Sequence, residues 1–202
     1  MKQTKKSKKN KFNLSEEYKQ CWNYIKESKK FIFFIMGFFL LFALIGFLFP
    51  LPQALYDKIV YFLKQILEQT KGLSHLELIK FITLNNLQST FFGIIFGVFF
   101  GIYPLISALV NGYVLGFVSS LSVNQDGLTS LFRILPHGIF ELPAIFISLG
   151  LGLKLGTFIF NKKKIKMFKY YLLNSLRTFL LIIVPLLVLA GIIEGTLIAL
   201  AK

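Results

Sequence analysis

Cysteine is almost missing: Cys21 stands alone among 202 residues, so no disulfide can form within the chain. Acidic residues are scarce too, nine against 23 lysines and arginines, which leaves a net charge of +14. Charged residues of both signs make up only 16%, where a soluble domain carries about a quarter. That shortage argues against a soluble globular domain. There is no HExxH pairing, no nucleotide-binding loop, no dinucleotide fingerprint and no nucleic-acid module. What fills the chain is apolar, with 55% hydrophobic residues, 24 phenylalanines and a mean hydropathy of +0.67. The composition describes an all-α, polytopic membrane helix bundle in a lipid bilayer. A net charge of +14 could also suit nucleic acid, but the basic residues gather in two short segments beside apolar runs, so no nucleic-acid partner is expected.

Span lengths follow from the bilayer. The first apolar run, Phe31 to Phe49, is long enough for a core of about 30 Å and lacks a small-x-small cleavage site, so it reads as a span rather than a secretory signal. Pro50 and Pro52 stop it. Ahead of it, residues 1–11 form a lysine-rich tail. Leu14, Tyr18, Cys21, Trp22 and Ile25 then recur at helical spacing behind Ser15 and Glu16-Glu17, which predicts a short amphipathic helix on the membrane surface. The chain thus divides into a basic tail with interfacial helix over 1–30 and a single transmembrane domain over 31–202. Residues 53–80 carry an amphipathic helical period too polar to span, and His75 falls in a solvated loop.

From Leu87 to Leu121 the chain is apolar for 35 residues, about 52 Å as one helix, so it must turn. Gly101-Ile102-Tyr103-Pro104 is the place, giving spans over 83–103 and 105–121, the second short enough to be tilted or re-entrant. After a turn at Asn124-Gln125-Asp126-Gly127, a span over 138–160 and a last one over 175–200 complete five. Ten lysines precede Phe31 and five lie between 162 and 169. Five spans place both clusters in the cytoplasm, with the N-terminus inside and the C-terminus outside the cell membrane.

Glycine supplies the packing signal. Gly93, Gly97 and Gly101 recur every fourth residue, and Gly112/Gly116, Gly152/Gly156 and Gly191/Gly195 repeat the spacing in three other spans. Helices in lipid associate largely through close approach at such small residues. The motifs predict tight crossings, mostly within one chain, while a homo-oligomer stays compatible with them.

Leu135-Pro136-His137-Gly138-Ile139-Phe140-Glu141-Leu142-Pro143-Ala144 puts a histidine and a carboxylate beside helix breakers in an otherwise bilayer-compatible run. An unpaired charge near the bilayer centre costs roughly 2.5 kcal/mol or more, which makes His137 and Glu141 functional candidates. The plain alternative is a polar pair that caps a helix at the membrane surface. A helix starting at Pro136-His137-Gly138 would offer free N–H groups to Glu141. Counting from Asn161, Glu141 lies about 30 Å up its helix, or about 20 Å if Lys154 snorkels to the edge. Glu194, about 25 Å beyond Arg177, reaches the same outer half, and Asn85 and Asn86 begin their span there. The five residues either tie helices together or line a ligand or ion pocket.

The decapeptide resembles the signature of the stage II sporulation protein M family, most specifically at Pro136, His137, Gly138 and Glu141. The similarity extends from Asn85-Asn86 through Asn111-Gly112 to Glu194. The resemblance implies a membrane partner of a bilayer-anchored complex that remodels peptidoglycan during engulfment, with these recurrent polar positions as its site. The expected function is therefore a non-enzymatic membrane scaffold with membrane or extracytoplasmic protein partners. A transporter or channel component is the alternative, since broken spans and converging carboxylates fit a substrate site. A hydrolase using His137, Glu141 and Glu194 lacks a second histidine nearby, and one histidine with two carboxylates is a weak metal signal. No cofactor or metal is expected.

Overall fold

The computed structural model describes residues 13–49 and 51–200, and the backbone alone over 132–137. The lysine tail thus lies outside the described residues, as do the side chains of Pro136 and His137. Every regular element among the described residues is helical, and five helices are long and apolar enough to cross a membrane. The five-span reading holds, although several boundaries move.

Helix α1 (Leu14–Leu48) starts behind Asn13, whose side chain accepts from the Ser15 N–H at 3.1 Å, with Glu16 and Glu17 in its first turn. It runs on for 35 residues, so the amphipathic segment that begins at Leu14 is continuous with the helix of the first span. No Pro or Gly interrupts residues 26–30, and tertiary contacts keep the segment in line. Cys21, Tyr24 and Ser28 are buried, and Arg177 pairs with Glu17 at 2.8 Å and also donates to Gln20.

Helix α2 (Gln53–Thr70) has no buried residue and meets the bundle through Tyr56, whose ring stands edge-on to Phe117 at 5.5 Å. Helix α3 begins earlier than expected, as His75–Ile95 followed by a 3-10 turn over Phe96–Val98. The signal lay in Ser74 and Glu77, which form a reciprocal capping box. His75 is therefore a helix residue, and its Nε2 lies 2.9 Å from Thr196 Oγ1. The long apolar run does turn at Gly101, where Phe100 (φ 56°) and Gly101 (φ 71°) adopt left-handed backbone. Helix α4 (Ile102–Asp126) then crosses at full length, neither short nor re-entrant.

Helix α5 (Leu131–Gly156, then a 3-10 turn over Thr157–Phe160) passes through residues 136–138 without a break. Pro136 and Pro143 each remove one helical hydrogen bond, but the surrounding ladder holds. Glu141 therefore stands ten residues inside the helix, out of reach of a helix N-terminus. Helix α6 (Lys164–Leu200) takes in Lys164, Lys166 and Lys169 of the lysine cluster and contains a five-residue π segment, Phe179–Ile183.

Glycines set the helix directions. Alpha carbons of Gly112 and Gly116 on α4 lie against the Phe39 and Ala43 carbonyls of α1, a parallel pair. Gly93 and Gly97 of α3 meet Gly152 of α5, also parallel, while Gly191 and Gly195 of α6 meet Thr83 and Ile79 of α3, antiparallel. Such directions require alternate crossings by α1, α3, α4, α5 and α6. All four glycine motifs find partners within the chain.

Lys154, expected to snorkel, is instead buried in α5. Its Nζ donates to Glu27 Oε1 at 2.9 Å and Ser28 Oγ at 3.1 Å, and lies 4.2 Å from the Tyr24 ring centroid and 5.1 Å from that of Tyr171. Tyr170 donates to the other Glu27 oxygen at 2.9 Å. This cluster ties α1 to α5 and α6.

Candidate functional site

Polar residues of three spans meet around a small cavity of about 70 Å³. Asn85, Asn86, Ser89 and Thr90 come from α3, Ser107 and Asn111 from α4, and Glu141 and Ser148 from α5, with Ile145 and Leu149 as the apolar wall. Several hydroxyls are already committed. Thr90 donates to the Asn86 carbonyl at 2.7 Å and Ser148 to that of Ile145 at 3.0 Å. The Asn111 amide donates to the Ser107 carbonyl at 2.8 Å. In lipid this self-bonding is how a hydroxyl or amide avoids an unsatisfied donor. Glu141 differs: among the described residues its carboxylate has no hydrogen-bond or ion-pair partner.

A second space adjoins the first. An apolar groove of about 730 Å³ runs between α4 and α5 over Phe39 of α1. Val114, Leu115, Val118 and Ser119 form one wall, and Leu131, Gly138, Ile139 and Leu142 the other. Asn111, Glu141 and Ile145 line both spaces, so the carboxylate stands where polar cavity and apolar groove join. Pro143 has no N–H to give the carbonyl of Ile139, a groove residue, which leaves another acceptor without its helical donor.

The height of the junction within the bundle follows from the helix contacts. Gly112 faces the Phe39 carbonyl, and Gly150 faces Ile32, which brings Asn111 and Glu141 level with the middle of the Phe31–Phe49 run. Because α3 and α5 start earlier than their apolar runs suggest, Asn85 and Glu141 are each ten residues, about 15 Å, from their helix starts.

Of the expected residues, Asn85, Asn86, Asn111 and Glu141 line the cavity together, and Gly138 lines the groove. Glu194 is within electrostatic reach of Glu141 but does not line either space. The His137 side chain lies outside the described residues. Ser89, Thr90, Ser107 and Ser148 escaped the sequence reading. Their signal was the four-residue spacing Asn86–Thr90 and Ser107–Asn111, which sets small polar groups on one helix face. Chemically, the set accepts hydrogen bonds from donors and cations. No three His, Cys, Asp or Glu gather to hold a metal ion among the described residues.

Five helices long and apolar enough to cross a membrane, packed around a small polar cavity, define a multi-pass membrane protein. The model of the stage II sporulation protein M family matches residues 31–197, and the chain belongs to that family. No curated protein and no solved structure matches it.

Proposed function

We propose that the protein is a non-enzymatic scaffold, or a subunit, of a membrane complex, and that it holds its partner at the α4–α5 groove. The observation that carries this reading is the carboxylate of Glu141, which faces an open apolar groove with no partner of its own chain among the described residues. A half-buried, unpaired carboxylate is costly in lipid unless something else meets it. Envelope remodelling is the setting that the resemblance implies for such a complex.

Co-purification in mild detergent tests the reading. A stoichiometric protein should accompany the wild type and be lost from Ile139→Trp, which fills the groove. A protein that stays solitary and conducts ions in liposomes overturns it. The polar cavity favours that second reading, a small-solute or ion transporter component. Between the cavity and the α3–α4 turn, the backbones of Gly97 and Gly152 lie in contact.

Glu141 gives a sharper expectation. Because it caps no helix and satisfies no donor among the described residues, Glu141→Leu is expected to leave detergent stability within about 1 kcal/mol of wild type or raise it. Glu141→Gln should behave alike, while partner retention falls in both. Melting curves and co-purification of the two variants decide; a strongly destabilised Leu variant would give Glu141 a structural role instead.

The orientation we propose has the N-terminus in the cytoplasm, from the lysines of early α1 and of residues 162–169. Cysteines at the exposed positions Gln125 and Ile165 test it in intact cells. An impermeant maleimide should label position 125 and spare 165; the reverse pattern inverts the protein.

A further inference from the structure

We infer that the occupant of the α4–α5 groove is a transmembrane helix of another protein that carries a basic residue at mid-span, its ammonium or guanidinium group meeting Glu141. The inference rests on the scaffold reading and names the chemistry of its partner.

Three observations converge. First, the described residues of the groove include two acceptors without partners: the Glu141 carboxylate, where cavity and groove join, and, two residues before it on α5, the Ile139 carbonyl that Pro143 deprives of its helical donor. A donor with positive charge complements both. Second, the groove is apolar and long, extending along α5 from Leu131 to Ile145, about 21 Å, or four helical turns. Gly138 and Ser119 on opposite walls permit close approach, as helix–helix contacts in lipid require. Third, the polarity is ordered in depth. The polar junction lies about 15 Å from the start of α5, and the described groove residues between them, Leu131, Gly138 and Ile139, are apolar.

That order rejects a phospholipid. Its head belongs at the interface and its chains at mid-depth, the reverse of what the site presents. A transmembrane helix has its apolar face toward the interface and one polar side chain at its centre without strain. A lysine or arginine there is expensive alone and is stabilised by a carboxylate at the same level.

The test uses synthetic helices of about 21 leucines and alanines, the length that spans a bilayer. One peptide has a central lysine, one a central leucine, and one places its lysine next to an end. Each is titrated by energy transfer against the labelled full-length protein in phosphatidylcholine vesicles. The central-lysine peptide should bind about tenfold more tightly than the other two, the scale of one interhelical polar contact. Glu141→Gln should erase that preference without abolishing binding. Ile139→Trp should weaken every peptide, with Val118→Phe as a second groove-filling variant if the first misfolds by circular dichroism.

Equal affinities on the wild type, or a lysine preference that survives Glu141→Gln, overturn the inference. Tighter binding of the end-lysine peptide does so as well, because it moves the contact to the interface. If a stoichiometric natural partner stays bound to both groove variants, a scaffold role survives, but the groove as its docking place and the present inference both fail. If the peptides discriminate but no partner co-purifies, the reverse holds.

Discussion

Valine at Gly97 or Gly152 is expected to be among the most damaging single changes in the bundle. A Cβ at Gly97 would overlap the Gly152 carbonyl, and one at Gly152 would overlap that of Gly93. Neither neighbour is a side-chain tip that can swing aside, so α3 and α5 must separate. Overpacking of this kind costs about 3 kcal/mol, the upper end for insertions into packed cores, because backbone must yield. Gly37→Val is the control, since nothing lies within 4 Å of the Cβ it would carry. Thermal unfolding in one detergent should show a large fall in Tm for Gly97→Val and Gly152→Val and a small change for the control. Equal Tm values would mean that the α3–α5 contact is not a tight crossing.

Glu27→Ala is expected to come second, and to exceed Lys154→Met. The two side chains form one ion pair, but they are unequally covered: 4% exposed for Lys154 and 47% for Glu27. Removing the carboxylate leaves an ammonium buried among Tyr24, Ser28 and Tyr171 with its counter-ion gone. Breaking a buried pair in that direction costs about 3 kcal/mol. Lys154→Met removes the charge itself, keeps most of the stem volume and leaves Glu27 half in solvent, so about 1 kcal/mol is expected. Chemical or thermal unfolding of both variants ranks them. A larger loss for Lys154→Met would assign the stability to the cation over the tyrosine rings rather than to the ion pair.

Span number, the turn at Gly101 and the membrane setting were legible in the sequence because each follows from length and hydropathy. An apolar run of 35 residues cannot cross once, and one glycine marks where it folds back. The glycine motifs were legible for a related reason: spacing of four defines a face whatever the partner. Helix starts were harder. The capping pair Ser74 and Glu77 starts α3 ahead of its apolar window, and Leu131 to Pro136 carries α5 back past the expected break, so Asn85 and Glu141 stand well inside their helices. Pro136 and Gly138 read as a break because both disfavour helix locally, yet a helix in lipid keeps its ladder where it can. Lys154 read as an edge marker because a lone lysine near a span end commonly reaches for water. Its partners, Glu27 and Tyr171, lie 127 residues before it and 17 after, and no local period connects them. The α4–α5 groove is a property of three helices together and leaves no linear signal beyond Glu141 itself.

The π segment of α6 has an effect on phase. Upstream, Tyr171, Ser175 and Thr178 face inward at regular spacings of four and three. Continued without interruption, that pattern would bring residues 182, 185 and 189 inward. Instead Ile183, Leu187 and Ala190 are buried, one to two positions later. A single added residue advances an α-helix by about 100°. Pro185, which cannot donate to Leu181, follows directly and is compatible with the slipped ladder. The C-terminal half of α6 is thereby turned so that Gly191 and Gly195 seat against α3 and Thr196 meets His75. Removing one residue from 179–183 would rotate Glu194 away from Glu141 by about a quarter turn while leaving the composition of the span almost unchanged. Two chains that differ only by that one residue would share a hydropathy profile and present different surfaces to the bilayer.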